Sequence, residues 1–176
     1  MTLPLYRRAL GAGFDVLPAR VRELHDLDRK RAWSGRASVE RGTSIPSRIA
    51  AAISGLPPAG PDQMLRVTFE PVGETETWSR QFGGALFRSV QFEHGGFLHE
   101  RVGPTTFIFT PLASSEELAL RLDGFRVLGI ALPRFLHPTL RTIERERDGR
   151  YEFEVEAHLP LFGLLVRYAG WLEPQA

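Results

Sequence analysis

The sequence predicts an α+β fold in which N-terminal helices pack on a strongly curved antiparallel β-sheet or a barrel of roughly eight strands. Three observations carry this expectation. From Met64 onward, apolar and polar residues alternate with a period of two, interrupted at short intervals by Gly and Pro. Helical spacing is confined to the first third of the chain, so helices and strands do not alternate and a parallel doubly wound sheet is disfavoured. The run 150–172 reads as two strands joined at Leu159-Pro160-Leu161-Phe162-Gly163, a hairpin that closes a sheet.

Residues 3–28 place Leu5, Leu10, Phe14, Leu17, Val21, Leu24 and Leu27 at helical spacings. Gly11-Ala-Gly13 and Pro18 interrupt them, which predicts two short helices with a bend, Pro18 standing in the first turn of the second. A short strand is expected over 37–41. Ser44 then caps a compact helix with Pro46 early in it and Ile45, Ile49 and Ile53 on one stripe. Leu56-Pro-Pro-Ala-Gly-Pro61 ends the mainly helical part, 1–62, and the antiparallel β part follows over 63–174. Together they make one domain, 1–176.

In the β part, Leu65, Val67 and Phe69 form the inner face of one strand, and Glu76, Trp78, Arg80 and Phe82 share a face of the next. Gly83-Gly84 marks a bend or bulge. Gly95-Gly96 joins residues 85–94 to 97–102 as a hairpin, and Gly103-Pro104 turns into a strand over 105–110. Residues 118–128 continue as strand, broken near Asp123-Gly124. The segment 129–138, with Pro133 and Pro138, is no central strand and lies across one end of the sheet. Asp148-Gly149 is the strongest two-residue hairpin signal in the chain. In the closing hairpin Tyr151, Phe153, Val155 and Ala157 face inward, Glu152, Glu154, Glu156 and His158 face water, and the second strand is apolar on both sides, as if covered on both.

The 176 residues carry 43% apolar and 24% charged side chains, the balance of a soluble globular domain. No window is long and apolar enough for a membrane span, and the N-terminus lacks the apolar stretch of a signal peptide, so the expected location is cytoplasmic. Without cysteine there are no disulfides, thiol nucleophiles or thiolate metal sites. Residues 1–62 hold 10 Lys/Arg against 6 Asp/Glu, while 63–176 hold 12 against 15. The basic cluster Arg29-Lys30-Arg31 with Arg36 is read as a solvated helix end rather than a nucleic-acid footprint.

A barrel of about eight strands is either filled by side chains or wide enough for one small ligand. Polar residues on otherwise apolar faces therefore mark candidate sites: Arg80 between Trp78 and Phe82, Glu100 between Leu98 and Val102, and Arg167 between Leu165 and Ala169. An inward arginine requires a carboxylate such as Glu100 or Glu156, although for Arg167 the wet face is favoured. Of five histidines, His94, His99 and His158 would make a metal site only if their strands align, and scattered surface histidines are the preferred reading: no metal and no cofactor are expected. His158, beside Glu156 at the end of the glutamate face, and Glu100 are the candidate acid–base residues. Dinucleotide, phosphate-loop, nucleophile-elbow and zinc-protease motifs are absent.

The segments Leu5-Tyr6-Arg-Arg-Ala-Leu10-Gly11, Trp78-Ser-Arg80-Gln-Phe82-Gly83, Glu100-Arg101-Val-Gly103-Pro104, Arg126-Val-Leu-Gly129-Ile-Ala-Leu-Pro133 and Leu159-Pro160-Leu161-Phe162-Gly163 with Arg167-Tyr168-Ala-Gly170-Trp171 carry a resemblance over nearly the whole chain. They resemble a bacterial domain family of unknown function, number four-one-six-six of its series. The resemblance implies occurrence alone or fused behind oxidoreductases similar to saccharopine dehydrogenase, hence an oxidoreductase as candidate partner. It implies no reaction or cofactor. Trp78, Arg80, Glu100, Arg126 and Tyr168 stand at positions matching the family's pattern and are the candidate ligand-binding residues.

The leading expectation is a calycin-like barrel that binds an apolar or amphipathic small molecule or lipid, its N-terminal helices covering one opening and Trp78, Arg80, Glu100 and Tyr168 lining the cavity. The alternatives are a cofactor-independent isomerase or cyclase using Glu100 or His158, and an interaction module accessory to an oxidoreductase. Binding of nucleic acid is not expected.

Overall fold

Ten antiparallel strands close on themselves, and a helical cap seals one end of the ring. The structure, a computed structural model, describes residues 3–175; Met1, Thr2 and Ala176 of the expected 1–176 domain lie outside the described residues. In chain order the helices are α1 (Leu5–Leu10), α2 (Ala19–His25) and α3 (Ile45–Ile53), with 3-10 turns at Gly11–Val16 and Arg134–Leu136. The strands are β1 (Arg31–Arg41), β2 (Gly60–Val72), β3 (Thr75–Phe82), β4 (Ala85–His94), β5 (Phe97–Val102), β6 (Thr105–Ala113), β7 (Glu117–Val127), β8 (Ile130–Ala131), β9 (Thr139–Arg147), β10 (Arg150–Leu159) and β11 (Gly163–Pro174). Strands β1 to β7 and β9 to β11 form the ring in sequence order, β6 pairing with β7 and β11 with β1, while the two-residue β8 only folds back on β7.

The ring holds ten strands where roughly eight are expected from the sequence, and its first strand is longer than expected. β1 runs the full length of Arg31–Arg41 rather than 37–41, because backbone pairing with β2 on one side and β11 on the other carries it through Ala32, Ser34 and Gly35, residues with little strand preference. The closing seam needs glycine. A Cβ on Gly170 would run into the Arg36 carbonyl and one on Gly35 into the Trp171 carbonyl, so neither position of the β1–β11 pair accepts a side chain.

Turn chemistry agrees with the sequence. Asp148-Gly149 and Gly95-Gly96 both adopt positive φ and join their strands as two-residue hairpins, and Gly83-Gly84, read as a bend or bulge, likewise makes a two-residue hairpin between Phe82 and Ala85. The break expected near Asp123-Gly124 is a bulge: Ile108 pairs with Gly124 and Phe109 with Leu122, leaving Asp123 over.

α1 and α2, separated by the 3-10 turn, lie across one end of the barrel. Their apolar faces supply Leu5, Tyr6, Val21 and Leu24, and the turn supplies Phe14, all fully buried and continuous with the barrel core. Each such side chain is worth about 1.5–3 kcal/mol of burial. A two-pronged ion pair ties the helices together: Arg7 Nε and Nη2 each donate at 2.8 Å to the Asp26 carboxylate. Ser44 caps α3, its Oγ accepting from the Ser47 amide, and Pro46 sits in the first turn.

Two expectations are corrected on the outside of the barrel. The Ile45, Ile49 and Ile53 stripe of α3 faces solvent, because the helix buries its small face, Ser47 and Ala51, against the barrel end. β11 is not covered on both sides either: Val166, Tyr168 and Leu172 face the core, whereas Arg167 is exposed and Trp171 is half-covered by the Arg150 guanidinium, 4.5 Å from its ring. The glutamate face of β10 is an ionic ladder. Glu154 meets both Arg141 and Arg167 at 3.2 Å, and Glu152 meets Arg145 at 3.3 Å.

Candidate functional site

Strand alternation and register bring the polar residues of the interior together. β3 turns Glu76, Trp78, Arg80 and Phe82 inward, and its register sets Arg80 beside Phe87, Trp78 beside Ser89 and Glu76 beside Gln91 of β4. Gln91 in turn pairs with Glu100 of β5. Arg80 Nη1 donates to Ser89 Oγ at 2.8 Å and Nη2 to Glu100 Oε1 at 3.4 Å, and the guanidinium lies 4.9 Å from the Trp78 ring and 5.3 Å from the Phe87 ring. One close hydroxyl, one long ion pair and two aromatic faces hold a cation that is almost out of water.

A second polar group stands under the helical cap. His25 Nε2 is 2.5 Å from Glu144 Oε2 of β9, with the histidine wholly buried and its Nδ1 without a partner among the described residues. The imidazole stacks at 3.7 Å between centroids on Tyr6, whose hydroxyl donates to Gln91 Oε1 at 3.0 Å. Glu76 accepts from the Leu5 amide at 3.3 Å and from Trp78 Nε1 at 3.2 Å. Burial pushes the Glu76 carboxyl above the usual carboxylate range, against the opposing pull of His25 and those two N–H donors.

Between these groups runs a cavity of about 120 Å³. Tyr6, Gln91, Glu144 and Tyr151 form its floor below the cap, and Trp78, Arg80, Glu100 and Tyr168 its middle. Phe107, Phe153, Val155 and Leu165 make the wall largely apolar, and Ser54, Leu56, Thr105 and Leu140, all only half-buried, stand at the opposite end. That end, crossed by the segment after α3, is the mouth. Burial drives the Tyr168 phenol up to about 12 and lifts those of Tyr6 and Tyr151 well above their ordinary value, with Glu144 adding to both shifts. The three phenols therefore stay protonated at neutral pH and offer hydrogen-bond donors rather than bases.

The structure thus brings Trp78, Arg80, Glu100 and Tyr168 together around one space. Arg126 stands apart, exposed near the end of β7 by the mouth. His158 is on the outer wall of β10, its Nε2 2.6 Å from Glu156 Oε1, and that contact with Arg167 alongside holds the Glu156 carboxyl below its ordinary value. Among the described residues no cluster of three or more His, Asp or Glu is arranged to hold a metal ion. Ser89, Gln91, Glu144 and His25 also belong to the interior set and are not singled out by sequence reading, while Tyr151 is read there only as facing inward. A usable signal existed for Glu144: the Asp148-Gly149 hairpin places it directly opposite Phe153, hence on the same face. His25 follows Val21 by four residues and so shares its buried helix stripe.

No helix among the described residues is long and apolar enough to cross a membrane. No curated protein and no solved structure matches the chain. A family model does match, over residues 17–172, spanning α2 and every strand of the ring, and the chain belongs to that family, Domain of unknown function (DUF4166).

Proposed function

We propose that the barrel binds an amphipathic small molecule, its apolar body in the cavity and a small polar head at Arg80. The observation that carries this reading is an unfilled, mostly apolar cavity with one loosely held guanidinium on its wall. A pure structural arginine would be expected to make a tight, two-pronged pair, and the Arg80–Glu100 contact is a single 3.4 Å approach. The free volume bounds the ligand. A dry cavity of about 150 Å³ holds one benzene ring, so about 120 Å³ accommodates a single ring or a short acyl segment, and anything longer extends through the mouth.

Native mass spectrometry of protein purified from its own organism is the direct test. A retained small molecule is the expected outcome, and Arg80→Met should lower its occupancy while leaving the barrel folded. A spectrum with no adduct, together with no movement of the Trp78 indole resonance on titration with monocyclic and short-chain carboxylic acids, would overturn the reading.

The Glu144–His25 pair favours one further reading, an isomerase or cyclase. Glu144 reaches the cavity wall with an imidazole directly behind it, the arrangement of a carboxylate positioned for proton transfer. In that reading Glu144 and Glu100 are the acid–base candidates, and His158 is too remote, on the outer wall. Glu144→Gln and Glu100→Gln proteins would then retain the ligand but stop converting it; conversion that survives both changes would sink the catalytic reading and leave the binding one intact.

A further inference from the structure

The two ends of the barrel differ in surface chemistry, and the difference is concentrated in the turns. At the mouth the connections are α3 with its flanks (42–59), Gly83-Gly84, Gly103-Pro104, the segment 128–138 and the turn 160–162. Together they contain no Asp or Glu, but they do contain Arg48 and Arg134, with Arg126 adjoining at the end of β7. All three arginines are exposed, and none makes an ion pair among the described residues. Of the carboxylates on the adjoining strand ends, Asp62 and Glu156 are bound to Arg36 and Arg167, and Glu40 faces Arg167 across the β1–β11 register.

The same turns expose large apolar side chains at their tips. Leu161 is 99% exposed, Leu128 78% and Phe135 76%, and α3 presents Ile45, Ile49 and Ile53 with Arg48 on the same outer face. Two of these are held at a conformational cost. Leu161 and Leu128 adopt φ of 67° and 50°, a region that costs an L-residue about 1–2 kcal/mol and that the chain elsewhere gives to glycine and to two aspartates. Neither leucine gains burial in exchange. At the capped end the exposed hydrophobics are Leu3 and Val16 on the cap and Val72, Phe97 and Leu112 on three separate strands, and carboxylates stand among them in the turns at Glu74, Ser114-Ser115-Glu116 and Asp148.

We infer that the mouth docks on an anionic lipid bilayer, with Leu161, Leu128, Phe135 and the α3 stripe entering the headgroup–acyl boundary and Arg48, Arg126 and Arg134 meeting lipid phosphates. The apolar groups sit on separate tips distributed around an opening, which fits a fluid planar surface better than a groove-seated peptide. The arginines without an ion pair, Arg48 and Arg134 in connections devoid of carboxylates and Arg126 beside them, supply the complementary charge. Docking in this orientation would bring the cavity mouth to the membrane, so an apolar ligand could pass between the two without crossing water. It rests on the surface residues alone and stands or falls apart from the cavity ligand.

Co-sedimentation of the full chain with vesicles of phosphatidylcholine alone, or mixed with phosphatidylglycerol, tests it. Binding is expected on the mixed vesicles, weakening as salt rises. Arg48→Ala and Arg134→Ala should each lower the affinity about fivefold, and the triple change Ile49→Glu, Phe135→Glu, Leu161→Glu should abolish binding while thermal unfolding is unchanged. Val72→Glu, at the capped end, should bind as the parent does. Absence of binding to the mixed vesicles, equal loss in Val72→Glu, or a concentration-dependent dimer that the triple change dissolves would overturn the proposal, the last by making a second copy of the chain the occupant of this face.

Discussion

At the capped end of the barrel, charges and hydroxyls are buried and, His25 Nδ1 apart, paired: Glu76, Glu144, His25, Tyr6 and Gln91 find partners under two helices. At the mouth, apolar side chains are in solvent and Arg48, Arg126 and Arg134 have no ion-pair partner among the described residues. In ordinary folding terms the two ends are inverted. The capped end accepts the desolvation of polar groups in return for a rigid floor to the cavity, and the mouth leaves apolar area exposed where burial would have been favourable. The comparison separates a region specified by folding from one that folding does not explain.

The largest effect expected is at the floor. Tyr6→Ala removes a fully buried ring and leaves Gln91 without its donor, and should destabilise the chain by about 3 kcal/mol or more in urea titrations. A loss below about 1 kcal/mol would mean the cap is a detachable cover rather than part of the core. Next is the cavity wall. Arg80→Met alone should cost about 2 kcal/mol, because Glu100 is left without its cation, and adding Glu100→Met should recover much of that loss. No recovery in the double variant would assign the cost to packing rather than charge.

A smaller and pH-dependent effect joins α1 to α2. The Arg7 guanidinium bound to Asp26 holds its carboxyl below the ordinary range, so the pair stabilises the fold above about pH 4 and that contribution is lost as pH falls through the lower folded value. Both side chains are partly exposed, which limits the contribution to about 0.5–1 kcal/mol at neutral pH. Asp26→Asn should therefore be less stable than the parent at pH 7, and the two unfolding curves should converge toward pH 2; a gap that persists there would trace the effect to packing. The smallest effect is at the mouth, and it has the opposite sign. Leu128→Asn puts a residue tolerant of positive φ in a two-residue hairpin turn and should leave stability unchanged or raise it by up to about 1 kcal/mol. Destabilisation would show that Leu128 contributes to the fold after all.

These differences follow how legible each region was in the sequence. The strands from β2 to β11 carry their own signals: alternation in Thr75–Phe82, glycine pairs at the hairpins, and Asp148-Gly149 before the closing hairpin. The first half of β1 carries none, since Ala32, Ser34, Gly35 and Arg36 are made a strand by the partners on each side, and this is why the strand reads shorter in the sequence than it is. Arg80 and Glu100 were visible because each interrupts an apolar row. Glu144 was not, because β9 reads Thr-Leu-Arg-Thr-Ile-Glu-Arg-Glu-Arg, polar on both faces, and only its register with Phe153 assigns it to the inside. The α3 stripe was legible as a stripe but not in its direction: periodicity reports that a helix has two faces, and here the small residues Ser47 and Ala51 allow the closer approach to the barrel.

The glycine-lined seam between β1 and β11 also governs time. Each hairpin of the ring can form as soon as its two strands exist, but the seam joins β1 to β11, with Ser34 and Gln175 in contact across 141 residues. Contacts that distant form late, after many turns are already in place, so the barrel stays an open curved sheet with two unpaired edges until β11 reaches β1. During that interval the chain is at its most adhesive, and its survival depends on how quickly two glycine-notched edges find each other.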